Sequence, residues 1–206
     1  RRRTAAIAAG LRAGGVGVGD RVAACLPNRP EALAAGLACM SIGAVWSACS
    51  PDFGVRSVVD RFAQIEPVVL LAVDGYVYGG KPYDRRAEVR ALQAALPSVR
   101  RTVVLRALDP HADLDGLRDT VTWEEFEQPG DGLGFTRVPG EHPLWVVSSP
   151  GTTGLPKPIV HSHVGMLVDQ LKTSSFHFDA HPGDRLFWFT TTGWVMWNVM
   201  VGVLLS

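Results

Sequence analysis

The chain has 206 residues, 47% of them hydrophobic, and its 20 basic residues balance 20 acidic ones for a formal net charge of zero. That is ample apolar side chain for a core in one large domain or two small ones. A neutral chain lacks the charge excess that draws proteins to nucleic acid or anionic membranes, and Arg1-Arg2-Arg3 is too short to supply it, so neither partner is expected.

Residues 4–13 are alanine-rich with Ile7 and Leu11 at i, i+4, which predicts a helix ended by Gly14-Gly15. No capping residue precedes Ala5, and the last apolar stretch runs up to Ser206 without helix-stop residues, so both ends read as cut and the chain as a fragment. A strand over 21–26, a helix over 31–42 opened by Pro30 and a strand over 44–49 make a βαβ unit, which implies parallel strands. The turn Ser50-Pro51-Asp52-Phe53-Gly54 leads to a helix over 55–65 with Val55, Val58, Val59 and Phe62 at helical spacing, closed before Pro67. Residues 68–73 are then apolar throughout, as in a strand buried on both faces. Strands alternating with helices predict an α/β fold, a parallel sheet in βαβ layers with helices on both faces.

Cys25, Cys39 and Cys49 are widely spaced among apolar neighbours, which suits buried free thiols in a reducing cytoplasm better than a disulfide framework or a CxxC metal site. The opening residues carry no signal-peptide pattern, and the longest apolar run, 199–205, is too short to span a bilayer, so a cytoplasmic protein without a membrane partner is expected.

Gly75-Tyr76-Val77-Tyr78-Gly79-Gly80-Lys81 formally satisfies Gly-x4-Gly-Lys. Pro82 nevertheless stands where a Walker loop needs Ser or Thr for magnesium, and that reading is rejected. A helix over 84–96 and a buried strand over 102–105 follow. The stretch 109–140 is polar and rich in turn pairs, holding only Val121 and Trp123-Glu124-Glu125-Phe126, so it reads as a connector with one helical turn. Asp113, Asp115 and Asp119 lack the intervals of a calcium loop and read as a solvated face.

Two short apolar runs, Leu144-Trp145-Val146-Val147 and Pro158-Ile159-Val160, flank Ser148-Ser149-Pro150-Gly151-Thr152-Thr153-Gly154-Leu155-Pro156-Lys157, giving strand, loop, strand. Gly151 and Gly154 permit an anion nest of backbone N–H groups, the hydroxyls of Thr152 and Thr153 add donors, and Lys157 adds a full positive charge. That set of groups suits polyphosphate. The prolines on either side of Lys157 exclude a Walker loop here too. In His161-Ser162-His163 no third zinc ligand lies nearby, and Ser162 reads as the N-cap of a helix over 164–173. After the Gly183-Asp184-Arg185 turn, Leu186-Phe187-Trp188-Phe189-Thr190 predicts a strand with Phe187 and Phe189 in the core, and an apolar helix begins within 191–198. No Gly-x-Ser-x-Gly elbow occurs to anchor a serine-hydrolase triad.

Gly151-Thr152-Thr153-Gly154-Leu155-Pro156-Lys157 closely resembles the phosphate loop of the adenylate-forming superfamily, the acyl-CoA synthetases, luciferases and peptide-synthetase adenylation domains. It departs at Pro150, where those loops carry Ser or Thr; one phosphate donor is missing and weaker ATP binding is expected. Ser50-Pro51-Asp52-Phe53-Gly54, Val73-Asp74-Gly75-Tyr76 and Trp188-Phe189-Thr190-Thr191-Thr192-Gly193-Trp194 look most like the acetoacetate-activating branch of the short-chain acyl-CoA synthetases, with the acetate-activating branch next. The resemblance covers nearly the whole chain and implies that residues 1–206 are part of an N-terminal AMP-binding (adenylation) domain whose C-terminal partner domain is absent.

The resemblance further implies an acid–CoA ligase using ATP, magnesium (Mg2+) and CoA. The carboxylate of a short-chain acid, acetoacetate first, would attack the α-phosphorus of ATP, and CoA thiol would then displace AMP. Ser149, Gly151, Thr152, Thr153, Gly154 and Lys157 would hold the phosphates, and Tyr78, Gly79, Gly80 and Lys81 would touch CoA, an ordinary surface turn being the alternative for that stretch. Trp194, Val195 and Met196 would line the acyl pocket, Met196 standing where acetate-activating relatives carry Thr. No catalytic residue and no metal ligand falls within these residues, so the chain alone is expected to be inactive. Two alternatives stay open: a synthetase for acetate or another short-chain acid, and a non-catalytic nucleotide- or CoA-binding remnant.

Overall fold

The structure, a computed structural model, describes residues 1–130, 132–149 and 154–205. Helix α1 (Arg2–Ala13) turns Ile7, Ala8 and Leu11 inward and leads to strand β1 (Arg21–Cys25). Helix α2 (Pro30–Ser41) opens on Pro30, whose missing N–H would be unbonded in a first turn anyway. Strand β2 (Val45–Cys49) follows, paired in parallel with β1 from Arg21↔Val45 to Cys25↔Cys49 as the βαβ pattern requires. Helix α3 (Val55–Phe62) buries Val58 and Phe62 and stops three residues short of the predicted 65.

Strand β3 (Val69–Val73) is buried at every position and pairs in parallel with β1. The stretch read as a loop is a two-stranded hairpin, β4 (Gly75–Tyr78) and β5 (Lys81–Asp84). Gly79 and Gly80 form its turn with φ of 57° and 76°, which is the two-residue turn that needs left-handed backbone at both central positions. Tyr76 stacks on Tyr83 across the hairpin, ring centroids 5.3 Å apart. Helix α4 (Arg86–Ala95) and strand β6 (Arg101–Leu105) continue the alternation.

The polar connector holds more structure than its sequence suggests. Strand β7 (Thr120–Thr122) pairs in parallel with β6, and helix α5 (Trp123–Phe126) starts from a capping box in which Thr122 and Glu125 bond reciprocally. A three-residue strand is too short to show alternation. Trp123 and Phe126 are buried in the main core, and a Cβ on Gly10 would overlap the Phe126 carbonyl, so α1 and α5 pack backbone to backbone.

Strand β8 (Pro143–Ser149) runs parallel to β2, and β9 (Lys157–Ser162) returns antiparallel to β8. The sheet order is β7-β6-β3-β1-β2-β8-β9. Residues alternate between two cores: Val22, Ala24, Leu71 and Val73 face α1 and α2, whereas Ala23, Cys25 and Leu70 face α3 and α4. The predicted α/β class with helices on both faces is therefore what forms. The three thiols are buried and free.

Helix α6 (His163–Lys172) is capped by Ser162, whose Oγ accepts from Gly165 N at 3.2 Å, and passes into a π-helical turn, Thr173–His177. The predicted strand over 186–190 does not form, and Phe187 and Phe189 are 85% and 84% exposed instead of in the core. Alternating aromatics favour a strand only where a neighbouring strand offers its hydrogen bonds, and this segment has none beside it among the described residues. Helix α7 (Val195–Gly202) closes the fold, with a short 3-10 turn at Val203–Leu205. No helix among the described residues is long and apolar enough to cross a membrane.

Candidate functional site

In a parallel sheet all strands end at the same edge, and ligands of open α/β folds bind outside that edge. Here β1, β2, β3 and β8 deliver Leu26, Ser50, Asp74 and Ser149 to it. Strand β8 is buried through Leu144, Trp145 and Val146 and becomes half-buried at Val147, Ser148 and Ser149, so it emerges from the core as it reaches the glycine loop. The ladder with β9 runs through Val147↔Ile159 to Ser149↔Lys157, which brings the two ends of the loop together. Ser47 Oγ donates to Val146 O at 2.9 Å and ties β8 to β2 just before the exit.

The segment after the failed strand is held over this edge by one buried hydroxyl. Thr192 is 3% exposed, and its Oγ1 donates to Leu26 O at 2.6 Å with Cys49 O at 3.2 Å, stapling it to the ends of β1 and β2. Gly193 follows so closely that a Cβ there would lie 3.2 Å from both Ser50 N and Phe53 Cζ. Trp197 completes the attachment: its Nε1 donates to Asn28 Oδ1 at 3.0 Å, and its ring stacks on Trp46 at 6.4 Å.

Between this segment, α3 and the β8–β9 ladder lies a cleft of about 490 Å³. Val147, Ile159, Phe53, Trp194 and Val195 supply its apolar walls; Ser148, Ser149, Arg61 and His161 supply its polar ones. His161 Nδ1 accepts from Trp145 Nε1 at 2.8 Å, so the neutral imidazole carries its proton on Nε2 and is a hydrogen-bond donor there. Burial pushes the Cys49 thiol up to about 12, with the charge of Arg61 pulling the other way. An anion with a short apolar tail matches this combination of donors, cation and aliphatic wall.

The residues expected from sequence fall in three places. Ser149 lines the cleft, Lys157 stands exposed across from it with no ion pair among the described residues, and a Cβ at Gly154 would meet no described atom within 4 Å. Gly151, Thr152 and Thr153, together with Pro150, lie outside the described residues. Trp194 and Val195 line the same cleft as Ser149, whereas Met196, half-buried in the first turn of α7, is not among its lining residues. Tyr78, Gly79, Gly80 and Lys81 form the exposed tip of the β4–β5 hairpin, which follows β3, itself three strand spacings, roughly 14 Å, from β8.

Asp74 roots that hairpin. It is 2% exposed, its Oδ1 accepts from Ala107 N (2.7 Å) and Leu108 N (2.9 Å), and its Oδ2 accepts from Asp109 N (2.8 Å). Sequence reasoning missed Arg61, Thr192 and the support role of Asp74. Arg61 sits at helical spacing on what reads as a solvent face, and no local pattern shows that α3 lies beside β8.

The sequence pattern of the AMP-binding enzyme family matches residues 1–206. The chain is 49% identical over 193 residues to the acetoacetyl-coenzyme A synthetase of Rhizobium meliloti, covering 91% of the chain and 29% of that protein. It is 40% identical over 211 residues to the acetoacetyl-CoA synthetase of Mus musculus, covering 99% of the chain and 31% of that protein. The solved acetoacetyl-CoA synthetase from Streptomyces lividans superposes with a TM-score of 0.92 at 50% identity, over 98% of this chain and 31% of that one. The chain thus spans about 30% of the length of these relatives. From its first residue to its last, this chain belongs to the AMP-binding enzyme family.

Proposed function

We propose that this chain is the part of a cytoplasmic, AMP-forming acid–CoA ligase that holds the phosphates of ATP and the acyl chain of a short carboxylate, acetoacetate, while the two react. The observation that carries the reading is the shared cleft: Ser149, at the mouth of the glycine loop, and Trp194 and Val195 line one space at the carboxyl edge of the sheet. The acid would be placed with its methyl end against Trp194, Val195 and Val147 and its carboxylate toward the loop. Catalysis in such a site is positioning and charge neutralisation: a carboxylate oxygen bonds to the α-phosphorus, the bond to the bridging oxygen breaks, and pyrophosphate leaves carrying that electron pair. Lys157 and the loop donors, Gly151, Thr152, Thr153 and Gly154 with Ser149, would take up that charge.

Magnesium enters as the counter-ion of the ATP phosphates. No group of three or more His, Cys, Asp or Glu side chains able to hold a metal lies among the described residues, so no step here is assigned to a protein-bound metal. In the second half-reaction CoA thiol attacks the acyl carbonyl and AMP departs; the exposed hairpin tip, Tyr78 to Lys81, is proposed to meet CoA. Acetoacetate as the acid is supported by the names of the relatives at 40–50% identity. The adenine contacts and the partner domain would come from a chain of the relatives' length.

ATP–pyrophosphate exchange tests the reading. The full-length enzyme is expected to exchange label in the presence of acetoacetate and less well with acetate, and the 206-residue chain alone is expected to give none. Exchange absent with every short-chain acid, or indifferent to added acid, refutes it.

A further inference from the structure

Helix α3 brings a cation, Arg61, to the cleft, which Lys157 itself does not line. Arg61 is half-buried, and its guanidinium lies over the Phe53 ring, 5.1 Å from the centroid. Its Nη1 donates to Ser57 O and Ser57 Oγ, both at 2.6 Å. These contacts fix the side chain and leave Nε and Nη2 with no partner among the described residues. Nearby arginines are paired with carboxylates, Arg56 with Asp60 and Arg85 with Glu88, but no carboxylate among the described residues lies within ion-pair distance of Arg61. A partly desolvated guanidinium held rigid, facing a cleft and lacking a counter-charge, is arranged to receive an anion from outside.

The same helix end touches the glycine loop. Gln64, one turn beyond Arg61, donates from Nε2 to Pro156 O at 2.8 Å and to Asp60 O at 2.6 Å. Arg61 shares the cleft with Ser148 and Ser149, and Ser149 pairs across the ladder with Lys157. The cation is therefore next to the loop's entrance through Ser149 and one helical turn from its exit through Gln64.

We propose that Arg61 is a binding residue for the phosphates of ATP, working with Lys157 on the leaving pyrophosphate. This rests on the reading under Proposed function. The two cations divide the task by their chemistry. Lysine offers a mobile point charge, whereas the planar fork of Arg61, held by Phe53 and Ser57, offers Nε–H and Nη2–H in parallel to two phosphate oxygens. Arg61 belongs to a helix packed on the sheet and not to the loop, so its position is set by Phe53 and Ser57. The phosphate oxygens are favoured over the acid's carboxylate because Arg61 shares its cleft with Ser149 at the loop's entrance and its helix end, through Gln64, bonds Pro156 at the exit.

The test uses the full-length enzyme with Arg61→Met, which keeps the aliphatic stem on Phe53, and Arg61→Lys. In ATP–pyrophosphate exchange, Arg61→Met is expected to raise the KM for ATP by about tenfold to a hundredfold, as for loss of a charge-assisted pair, with the KM for the acid within about twofold. Arg61→Lys is expected to recover part of the loss. Titration with pyrophosphate alone, followed by calorimetry, should show weaker binding by Arg61→Met, and circular dichroism should show an unchanged fold. A KM that rises for the acid and not for ATP overturns the proposal, as does wild-type pyrophosphate affinity in the Met variant. If the wild type exchanges no label with any acid, the ligase reading fails, and the pyrophosphate titration alone then decides whether Arg61 holds an anion.

Discussion

Replacing Thr192 by Val tests whether one hydroxyl positions the acyl wall. The side chain keeps its shape and loses the hydrogen bond to Leu26 O at 2.6 Å and the longer contact with Cys49 O at 3.2 Å. Removing a buried donor costs its own net bond and leaves an acceptor unsatisfied, together about 1–3 kcal/mol. For a unit of about 200 residues each kcal/mol moves Tm by roughly 2–4 °C, and by less in the longer full-length chain, so a cost of about 2 kcal/mol lowers its Tm by about 2 °C. The staple precedes Gly193, whose backbone packs against Ser50 and Phe53, so losing it should also loosen Trp194 and Val195. The expected signature in the full-length enzyme is a lower Tm by circular dichroism and a KM for the acid raised several-fold, with the KM for ATP less affected. Thr192→Ser should restore most of both. An unchanged Tm would refute the buried bond. A lower Tm with an intact KM for the acid would make Thr192 a stability device with no part in positioning.

Asp74→Asn puts an NH2 group where Oδ2 accepts from Asp109 N or where Oδ1 accepts two bonds, so at least one donor faces another; a loss of about 2–4 kcal/mol is expected in urea unfolding. Burial, and after it the neighbouring His142, holds His163 below its ordinary 6.5. The unfolded chain therefore takes up that proton first: this contribution to stability is full above 6.5, is lost as pH falls through 6.5 toward the folded value, and is constant below it. Urea midpoints at about pH 7.5 and about pH 5.5 should differ less in His163→Asn than in the wild type. Pro150→Ser in the full-length enzyme should lower the KM for ATP, and an unchanged value would show that the missing donor is immaterial. Lys81→Ala should raise the KM for CoA in thioester formation and leave ATP–pyrophosphate exchange intact; equal effects on both would remove the hairpin from the CoA site.

The parallel βαβ order from Arg21 to Val73 was legible because each strand buried on both faces is a run of apolar residues bounded by a turn, and Pro30 marks a helix start. Ser162 was legible as a cap for the same local reason. Features that depend on a distant partner were not. Strand β7 exists because β6 offers an open edge, and 186–190 stays irregular because no strand among the described residues pairs with it. The hairpin read as a loop because Gly79 and Gly80 signal a turn more strongly than four-residue strands signal pairing. At the site, the glycine loop announces itself by composition, and the Gly193-Trp194 pair was legible only through the family resemblance. Arg61 and Thr192 act through tertiary contacts and carry no local signal.

The antiparallel return of β9 has an electrostatic cost. Where a phosphate loop opens directly into a helix, about half a unit of positive charge comes from the peptide dipoles of that helix. Here the five strand residues 158–162 separate Lys157 from the start of α6 by about 20 Å of extended chain, and the dipole field fades within a turn. If the site holds a triphosphate as proposed, the dipole of α6 adds little there, and the charge is left to the loop's own amides, to the side chains around it and to the nucleotide's magnesium. Each cation at the loop matters more than it would in a helix-backed cradle, and the nucleotide affinity of such a site should fall steeply as ionic strength rises.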